Sequence, residues 1–326
     1  MALAAMPCRE LPEACEPGRE HRPGYLALCE TGALSERARI LEEMLESCTL
    51  CPRRCRVNRR AGETGACGVD ARAKVAAINI HPWEEPPVSG PAGSGTVFFS
   101  GCTMKCIFCQ NYPISQLGAG RIMRPEELAA GMVKLQRRGA ANINLVTPTH
   151  QMGAFLRALA AAVPLGLRIP IVYNTNGYES PETLRLLEGV VDVYLPDIKY
   201  ADPKVAAFCS GRPDYVSVNR EALREMWRQV GPLQLDERGV ALRGMLVRHL
   251  VLPEDLSGTR DCISFLSREF GPDVWLSLMD QYFPAHKAHG APPLDRKLTR
   301  AEYQSACDLL TEFEIENGFV QEHPEE

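Results

Sequence analysis

The sequence predicts an α/β fold built on a partial, open (β/α)6 barrel, preceded by a small cysteine-rich module. Two observations point to the barrel and one to the module. Apolar runs alternate with helical stretches from Thr96 onward, an order that builds a mostly parallel sheet with right-handed crossovers. The runs number six, too few for a closed barrel of eight. Four of the thirteen cysteines fall between Cys48 and Cys67, ahead of the first run.

Residues 1–24 carry Pro7, Pro12, Pro17 and Pro23 among mixed charges without periodicity, the composition of a disordered leader. Leu34, Ala38, Leu41 and Leu45 then recur at helical spacing, with Ser35 as the expected N-cap. Cys48-x2-Cys51-x3-Cys55-x11-Cys67 follows in a glycine-turned segment. Four thiolates form a full ligand set, and both zinc and an iron–sulfur cluster accept one. Arg53, Arg54, Arg56, Arg59 and Arg60 would offset the charge of such a centre, or form a solvated basic loop. Residues 25–90 are therefore expected to be a helix and a four-cysteine metal module. Within them Ala77–Ile80 reads as a short strand, and the prolines and glycines to Gly90 as an extended connector at a domain boundary. Gly90-x2-Gly93-x-Gly95 is followed by a strand where a dinucleotide fingerprint needs a helix.

The barrel is expected over 91–290. Its strands are read at 96–99, 142–146, 169–173, 190–195, 246–252 and 274–279. Helices are read at 125–136, 152–162, 181–187, from Pro203 to Phe208, 220–230 and 259–270. Leu233–Leu235 and Val240–Leu242 flank Asp236-Glu-Arg-Gly239 as an inserted hairpin. The C-terminal segment, 291–326, is expected to close the chain as an amphipathic helix from Thr299 to Asn317.

Composition narrows the function classes. The net charge of −5 gives no nucleic-acid or membrane surface. No apolar run reaches the roughly 18 residues of a membrane span. Met1–Met6 is too short for a secretory core, so a cytoplasmic location is expected. In a reducing compartment clustered cysteines bind metal or do redox chemistry more often than they form disulfides. Cys8, Cys15, Cys29, Cys209, Cys262 and Cys307 are scattered and read as packing residues.

Cys102-x3-Cys106-x2-Cys109 sits directly after the first barrel strand. Three thiolates from one loop can hold three corners of a four-iron, four-sulfur cluster and leave the fourth iron open to a small molecule. A zinc knuckle, the alternative, closes with four ligands. Ligands of parallel α/β folds sit beyond the carboxyl ends of the strands. The polar strand ends therefore make one candidate rim: Thr147-Pro-Thr149-His150, Asn174-Thr-Asn176-Gly177, Asp197-Ile-Lys199, Arg248, and Asp280 through His286. His249 alternates to the opposite face from Arg248 and reads as a packed histidine.

The three-cysteine spacing, with aromatic Phe108 before the third thiol, resembles the signature of the radical S-adenosylmethionine (SAM) enzymes. Asn174-Thr-Asn-Gly177 and Val191-Asp-Val-Tyr-Leu-Pro-Asp-Ile-Lys199 are similar to motifs of the branch that includes the pyruvate formate-lyase-activating enzymes. The four-cysteine module and Cys109-Gln-Asn111 match a less characterised subgroup of activating-enzyme homologues. The resemblance implies a TIM-like partial barrel, a 4Fe-4S cluster on Cys102, Cys106 and Cys109, and SAM at the open iron. It places Phe108 near the adenine and implies SAM contacts from Asn174, Asn176, Asp197, Lys199, Arg248 and His286. It also implies a 5′-deoxyadenosyl radical that abstracts hydrogen, reduced flavodoxin or ferredoxin as donor, and a protein or peptide substrate such as a glycyl-radical enzyme. Two departures stand out. Thr147-Pro-Thr149-His150 replaces the Gly-Gly-Glu that binds the SAM amino group, leaving Thr147, Thr149 or His150 to supply the contact, and Asn174 replaces a carboxylate. The alternative function is a non-catalytic iron–sulfur or zinc protein that carries electrons or senses redox state.

Overall fold

The structure, a computed structural model, describes the backbone of Leu3–Ala5 and residues 21–322. Most of the expected leader, with Cys8 and Cys15, lies outside the described residues. Strand β1, Leu3–Ala5, precedes helices α1, Tyr25–Glu30, and α2, Ala33–Glu43. The N-cap of α2 is Gly32 at φ 76°, not Ser35. A glycine reaches this left-handed backbone without the Cβ penalty a serine would meet. Tyr25, Leu34 and Leu41 are buried in the same core as the outer face of the sheet.

Strand β2, Ala73–His81, is longer than expected and leads into a one-turn helix α3, Pro86–Ser89. Next come β3, Ser94–Phe99, α4, Tyr112–Ser115, and β4, Arg121–Met123. Three helix–strand steps follow. They are α5, Pro125–Arg137, with β5, Ile143–Val146; α6, Met152–Ala162, with β6, Ile171–Thr175; and α7, Pro181–Arg185, with β7, Val193–Pro196. Helices α8, Pro203–Ser210, and α9, Tyr215–Val230, precede β8, Gln234–Leu235, and β9, Ala241–Leu250. The chain ends with α10, Thr259–Phe270, β10, Trp275–Met279, α11, Arg300–Glu312, and β11, Asn317–Gln321.

The strands form one sheet in the order β1-β11-β10-β9-β7-β6-β5-β3-β2-β4, with β8 paired antiparallel to β9 as the expected hairpin. From β3 to β11 every neighbouring pair is parallel, and the six expected strands lie in sequence order. The sheet does not close, so the architecture is the expected partial barrel. Helix starts follow their chemistry: Pro125 opens α5 with Glu126 and Glu127 in its first turn, and Thr299 caps α11 in a capping box with Glu302.

Two expectations need correction. The closing helix stops at Glu312 rather than Asn317, and the residues beyond it add β11 as a seventh parallel strand. Gly318 allows the approach, since a Cβ there would fall 1.9 Å from the Leu276 carbonyl oxygen. The connector after β2 is not extended throughout, since it carries the short helix α3. Val88 is fully buried against Val172, Val193, Leu246 and Trp275, and its carbonyl accepts a hydrogen bond from Asn142 Nδ2 at 2.6 Å. An apolar valine between prolines gains more from filling the concave face of the sheet than from solvent. Among the described residues no helix is long and apolar enough to cross a membrane.

Candidate functional site

The loop after β3 holds Cys102, Cys106 and Cys109 at the carboxyl end of the sheet, and each sulfur has polar company. Cys102 Sγ accepts from the Met104 amide at 3.4 Å and from Asn176 Nδ2 at 3.6 Å. Cys106 Sγ accepts from Ser210 Oγ at 3.1 Å and lies 4.0 Å from the Tyr200 hydroxyl. Cys109 Sγ and Ser115 Oγ are 3.2 Å apart. Burial pushes the Cys109 thiol up to about 11 and raises Cys102 as well, so these thiols are neutral until something claims their protons. Two buried thiols and one half-buried, each with a hydrogen-bonding group against its sulfur, suit a cluster, whose sulfur ligands are tuned by such partners. Among the described residues no three His, Cys, Asp or Glu side chains converge closely enough to hold a single metal ion.

Neighbouring elements fix the loop. The Ile107 amide donates to the Cys209 carbonyl at 2.8 Å, the Lys287 amide donates to the Ile107 carbonyl at 2.9 Å, and Gln116 Nε2 reaches the Cys106 carbonyl at 2.8 Å. Phe108 is buried edge-on against Tyr200 and Tyr282, at ring distances of 6.5 and 5.9 Å. It anchors the loop into a satellite core. Cys209, read from sequence as packing, is fully buried in that same core with Cys106.

Three strand ends build an ionic group beside the thiols. Asp197 accepts from Lys199 Nζ at 2.6 Å and from Arg248 Nε at 3.0 Å. Arg248 Nη2 also donates to Asn174 Oδ1 at 2.6 Å. Burial opposes ionisation of Asp197, yet Arg248 and Lys199 hold its carboxyl below the usual range. Lys199 bears electrostatically on both Cys102 and Cys106, so the group and the loop share one site. Asn176 is committed to the loop, donating to Cys102 and to Thr103 Oγ1 at 3.3 Å.

Residues that sequence reasoning passed over brace this arrangement. The Tyr215 hydroxyl donates to the carbonyls of Asn176 and Asp197, and Asn219 Nδ2 donates to those of Gly177 and Asp197. Gly177 is at φ 75°, and a Cβ there would meet Asn219 Nδ2 at 2.2 Å and the Asp197 oxygen at 2.3 Å. Both bracing residues lie on α9, far along the chain from the motifs they hold, and no local pattern marks them.

The other expected contacts divide. Thr147 adopts a left-handed backbone, φ 54°, and its amide donates to the Asn174 carbonyl at 2.9 Å. Thr149 donates to the buried Glu179 carboxylate at 2.6 Å, and Tyr173 and Thr175 donate to the same group. Those two project from the outer face of β6, so Thr149 is turned away from the Asn174 side. His150 is buried behind the loop, with Nε2 2.7 Å from the Ser100 carbonyl. His286 stacks on Tyr112 at 4.8 Å beside the loop. His249 is buried between Ile198 and Thr259, as a packed histidine, and burial lowers it to about 4.

The four-cysteine module docks directly on the loop. Arg53 Nε donates to the Thr103 carbonyl at 2.7 Å, and Gly101 packs against the Cys67 carbonyl. Cys48, Cys51 and Cys67 lie close enough for Cys48 and Cys67 to raise Cys51 electrostatically, after burial, to about 12. The Ala66 amide donates to Cys55 Sγ at 3.4 Å. Arg59 is not a solvated loop residue. It is buried, donating to the carbonyls of Val69, Asp70 and His150, with Cys48 Sγ at 3.8 Å.

Comparison with known proteins gives five matches. The profile of the Radical SAM superfamily matches residues 96–228. The uncharacterized protein MJ0674 of Methanocaldococcus jannaschii is 31% identical over 294 residues, 87% of this chain and 80% of that protein. MJ0808 of the same organism is 28% identical over 176 residues, 49% of this chain and 51% of its own length. Among solved structures, methylornithine synthase (PylB) superposes at TM-score 0.46 with 13% identity, covering 91% of this chain and 75% of its own. Native anSMEcpe with bound AdoMet and a Cp18Cys peptide superposes at TM-score 0.46 with 12% identity, covering 67% of this chain and 60% of its own.

Proposed function

The chain belongs to the radical SAM superfamily, and from that premise we propose a radical SAM enzyme that abstracts hydrogen from a protein or peptide substrate. The observation that carries the reading is the polar company of Cys102, Cys106 and Cys109, next to the Asp197–Lys199–Arg248 group. When bound, the 4Fe-4S cluster and SAM supply a one-electron reduction that yields a 5′-deoxyadenosyl radical.

The chain's own residues do the rest. Cys102, Cys106 and Cys109 hold the cluster, and Asn176, Ser210 and Ser115 donate to their sulfurs. Asp197, Lys199, Asn174 and Arg248 seat the zwitterionic SAM, with Thr147 and His286 at the edge of that seat. Phe108, Tyr200 and Tyr282 keep water from the loop's inner side. Apolar Leu117, Phe208 and Phe283 stay exposed near the loop, which supports a polypeptide substrate, a glycine of a partner enzyme being one such target. Reduced flavodoxin or ferredoxin serves as donor. The module of Cys48, Cys51, Cys55 and Cys67 holds a second iron–sulfur cluster, a reading supported by its contact with the first loop.

Anaerobic, reconstituted protein with SAM and dithionite is expected to release 5′-deoxyadenosine, and Cys106→Ala to release none. A fully loaded wild type no better than Cys106→Ala sinks the reading. Failure of that loaded protein to bind SAM in calorimetry favours the electron carrier instead.

A further inference from the structure

The connector from Glu84 to Ser89 brings two carboxylates onto the concave face of the sheet, and nothing above uses them. Glu84 lies 3.7 Å from the Arg248 guanidinium. Glu85 is 5% exposed, and its Oε2 meets no hydrogen-bond donor among the described residues. Asn144, on β5, is fully buried with both amide atoms unpartnered. Ser277 pairs with Arg248 in the β9–β10 ladder, and its buried Oγ is also unpartnered. Electrostatics tie the carboxyl groups to Arg248. Asp197, Glu85 and Glu84 all bear on Arg248, and Asn144 faces Glu84 without coming within hydrogen-bond distance.

The charges do not balance. Asp197, Glu84 and Glu85 are three carboxyl groups against two cations, Arg248 and Lys199, and Asp197 engages both cations. Glu84 and Glu85 are left with what remains of one guanidinium. Buried carboxylates short of donors are costly unless a cation reaches them. Burial and the charge of Glu85 push Glu84 up to about 7, in keeping with that shortage.

The unpartnered atoms specify the missing group. Glu85 Oε2 and Asn144 Oδ1 only accept, Ser277 Oγ can accept, and Asn144 Nδ2, the donor among them, has the Glu84 carboxyl as its neighbour. A primary ammonium carries one positive charge and three N–H donors, which answers both needs. We propose that this face binds a primary ammonium group of the substrate, with Glu85 as counter-ion and Asn144 and Ser277 as neutral acceptors. The assignment rests on the radical SAM reading only in taking this face as the substrate's side of the site.

The test uses full-length, cluster-loaded protein under anaerobic calorimetry with SAM present. The probes are n-butylammonium chloride and Nα-acetyl-lysine methylamide, with n-butanol as a neutral analogue of equal length. Both ammonium probes are expected to bind about tenfold or more tighter than n-butanol. Glu85→Gln is expected to lose about tenfold in that binding and to keep its affinity for SAM. Binding of the lysine derivative but not butylammonium assigns the group to a peptide side chain, and equal binding assigns it to any alkylamine. Ammonium probes no tighter than n-butanol on wild type overturn the proposal whatever the variant's folding. So does a Glu85→Gln that loses SAM and probe affinity together, because the acids would then serve SAM's own cationic groups. Loaded wild type that binds no SAM would fail the radical reading separately, since SAM is titrated alone first.

Discussion

Glu179 accepts hydrogen bonds from Thr149, Thr175 and Tyr173, yet burial outweighs all three and pushes its carboxyl up to about 7. An unfolded glutamate titrates near 4.3. Between those values the folded chain holds a proton that the unfolded chain has lost. The stability tied to Glu179 is therefore fully present below the unfolded value and is lost as pH rises through about 7. Glu179→Gln removes the titration and keeps the side chain's size. Relative to wild type the variant is expected to gain roughly 2–3 kcal/mol between pH 4.5 and pH 8. Denaturation midpoints of the two proteins across that range check it, and curves that stay parallel would rule it out. The same residue shows how strand-end reading fails. Thr149 and His150 follow β5 as polar rim residues should, but alternation ends with the strand, and the turn delivers them to Glu179 and Ser100. No periodicity carries that information.

Elements meet most tightly where the four-cysteine module backs the three-cysteine loop. Gly101 stands at φ 84°, and a Cβ there would fall 2.4 Å from the Cys67 carbonyl oxygen and 3.2 Å from His150 Nε2. Gly101→Ala must push module and loop apart. A displacement near 1 Å at a reacting centre costs about a hundredfold in rate, so 5′-deoxyadenosine formation is expected to fall by about that factor. Gly62→Ala is the control. Its backbone is also left-handed, φ 90°, but a Cβ there meets nothing within 4 Å. Equal losses in both variants would assign the effect to backbone strain instead of the clash. The periodic elements were legible from the sequence: α10 was read at Thr259–Phe270, where it lies, and all six barrel strands were placed. The connector and β11 were not, for a common reason. Proline restricts local backbone without saying which way a segment turns, and Glu84, Glu85 and Val88 reach the concave face only through contacts with strands distant in sequence. At β11, the helical reading runs past Glu312 to Asn317, the first residue of a short strand defined by its pairing with β10 and β1.

At the scale of the whole molecule, two sets of thiols lie against one another at the carboxyl end of one sheet, joined by Arg53 to Thr103 and by Cys67 to Gly101. Neither set converges on a single-ion geometry. For Cys102, Cys106 and Cys109 the polar partners of the sulfurs accord with the cluster that superfamily membership implies. In the module Cys48, Cys51 and Cys67 are buried and Cys55 is half-buried, with an amide donor on Cys55 and a guanidinium near Cys48. A structural zinc site instead gathers four ligands around one ion at about 2.3 Å each. Metal content separates the two cases without reference to turnover. Anaerobically reconstituted wild type is expected to carry about eight irons and about eight sulfides per chain, with zinc well below one. Cys51→Ala is expected to keep about four irons and the spectrum of a SAM-responsive cluster, because its lesion spares the loop after β3. About four irons with one zinc in wild type, the zinc lost in Cys51→Ala, would make the module a structural clamp. The loop it clamps would then draw its electrons directly from the external donor.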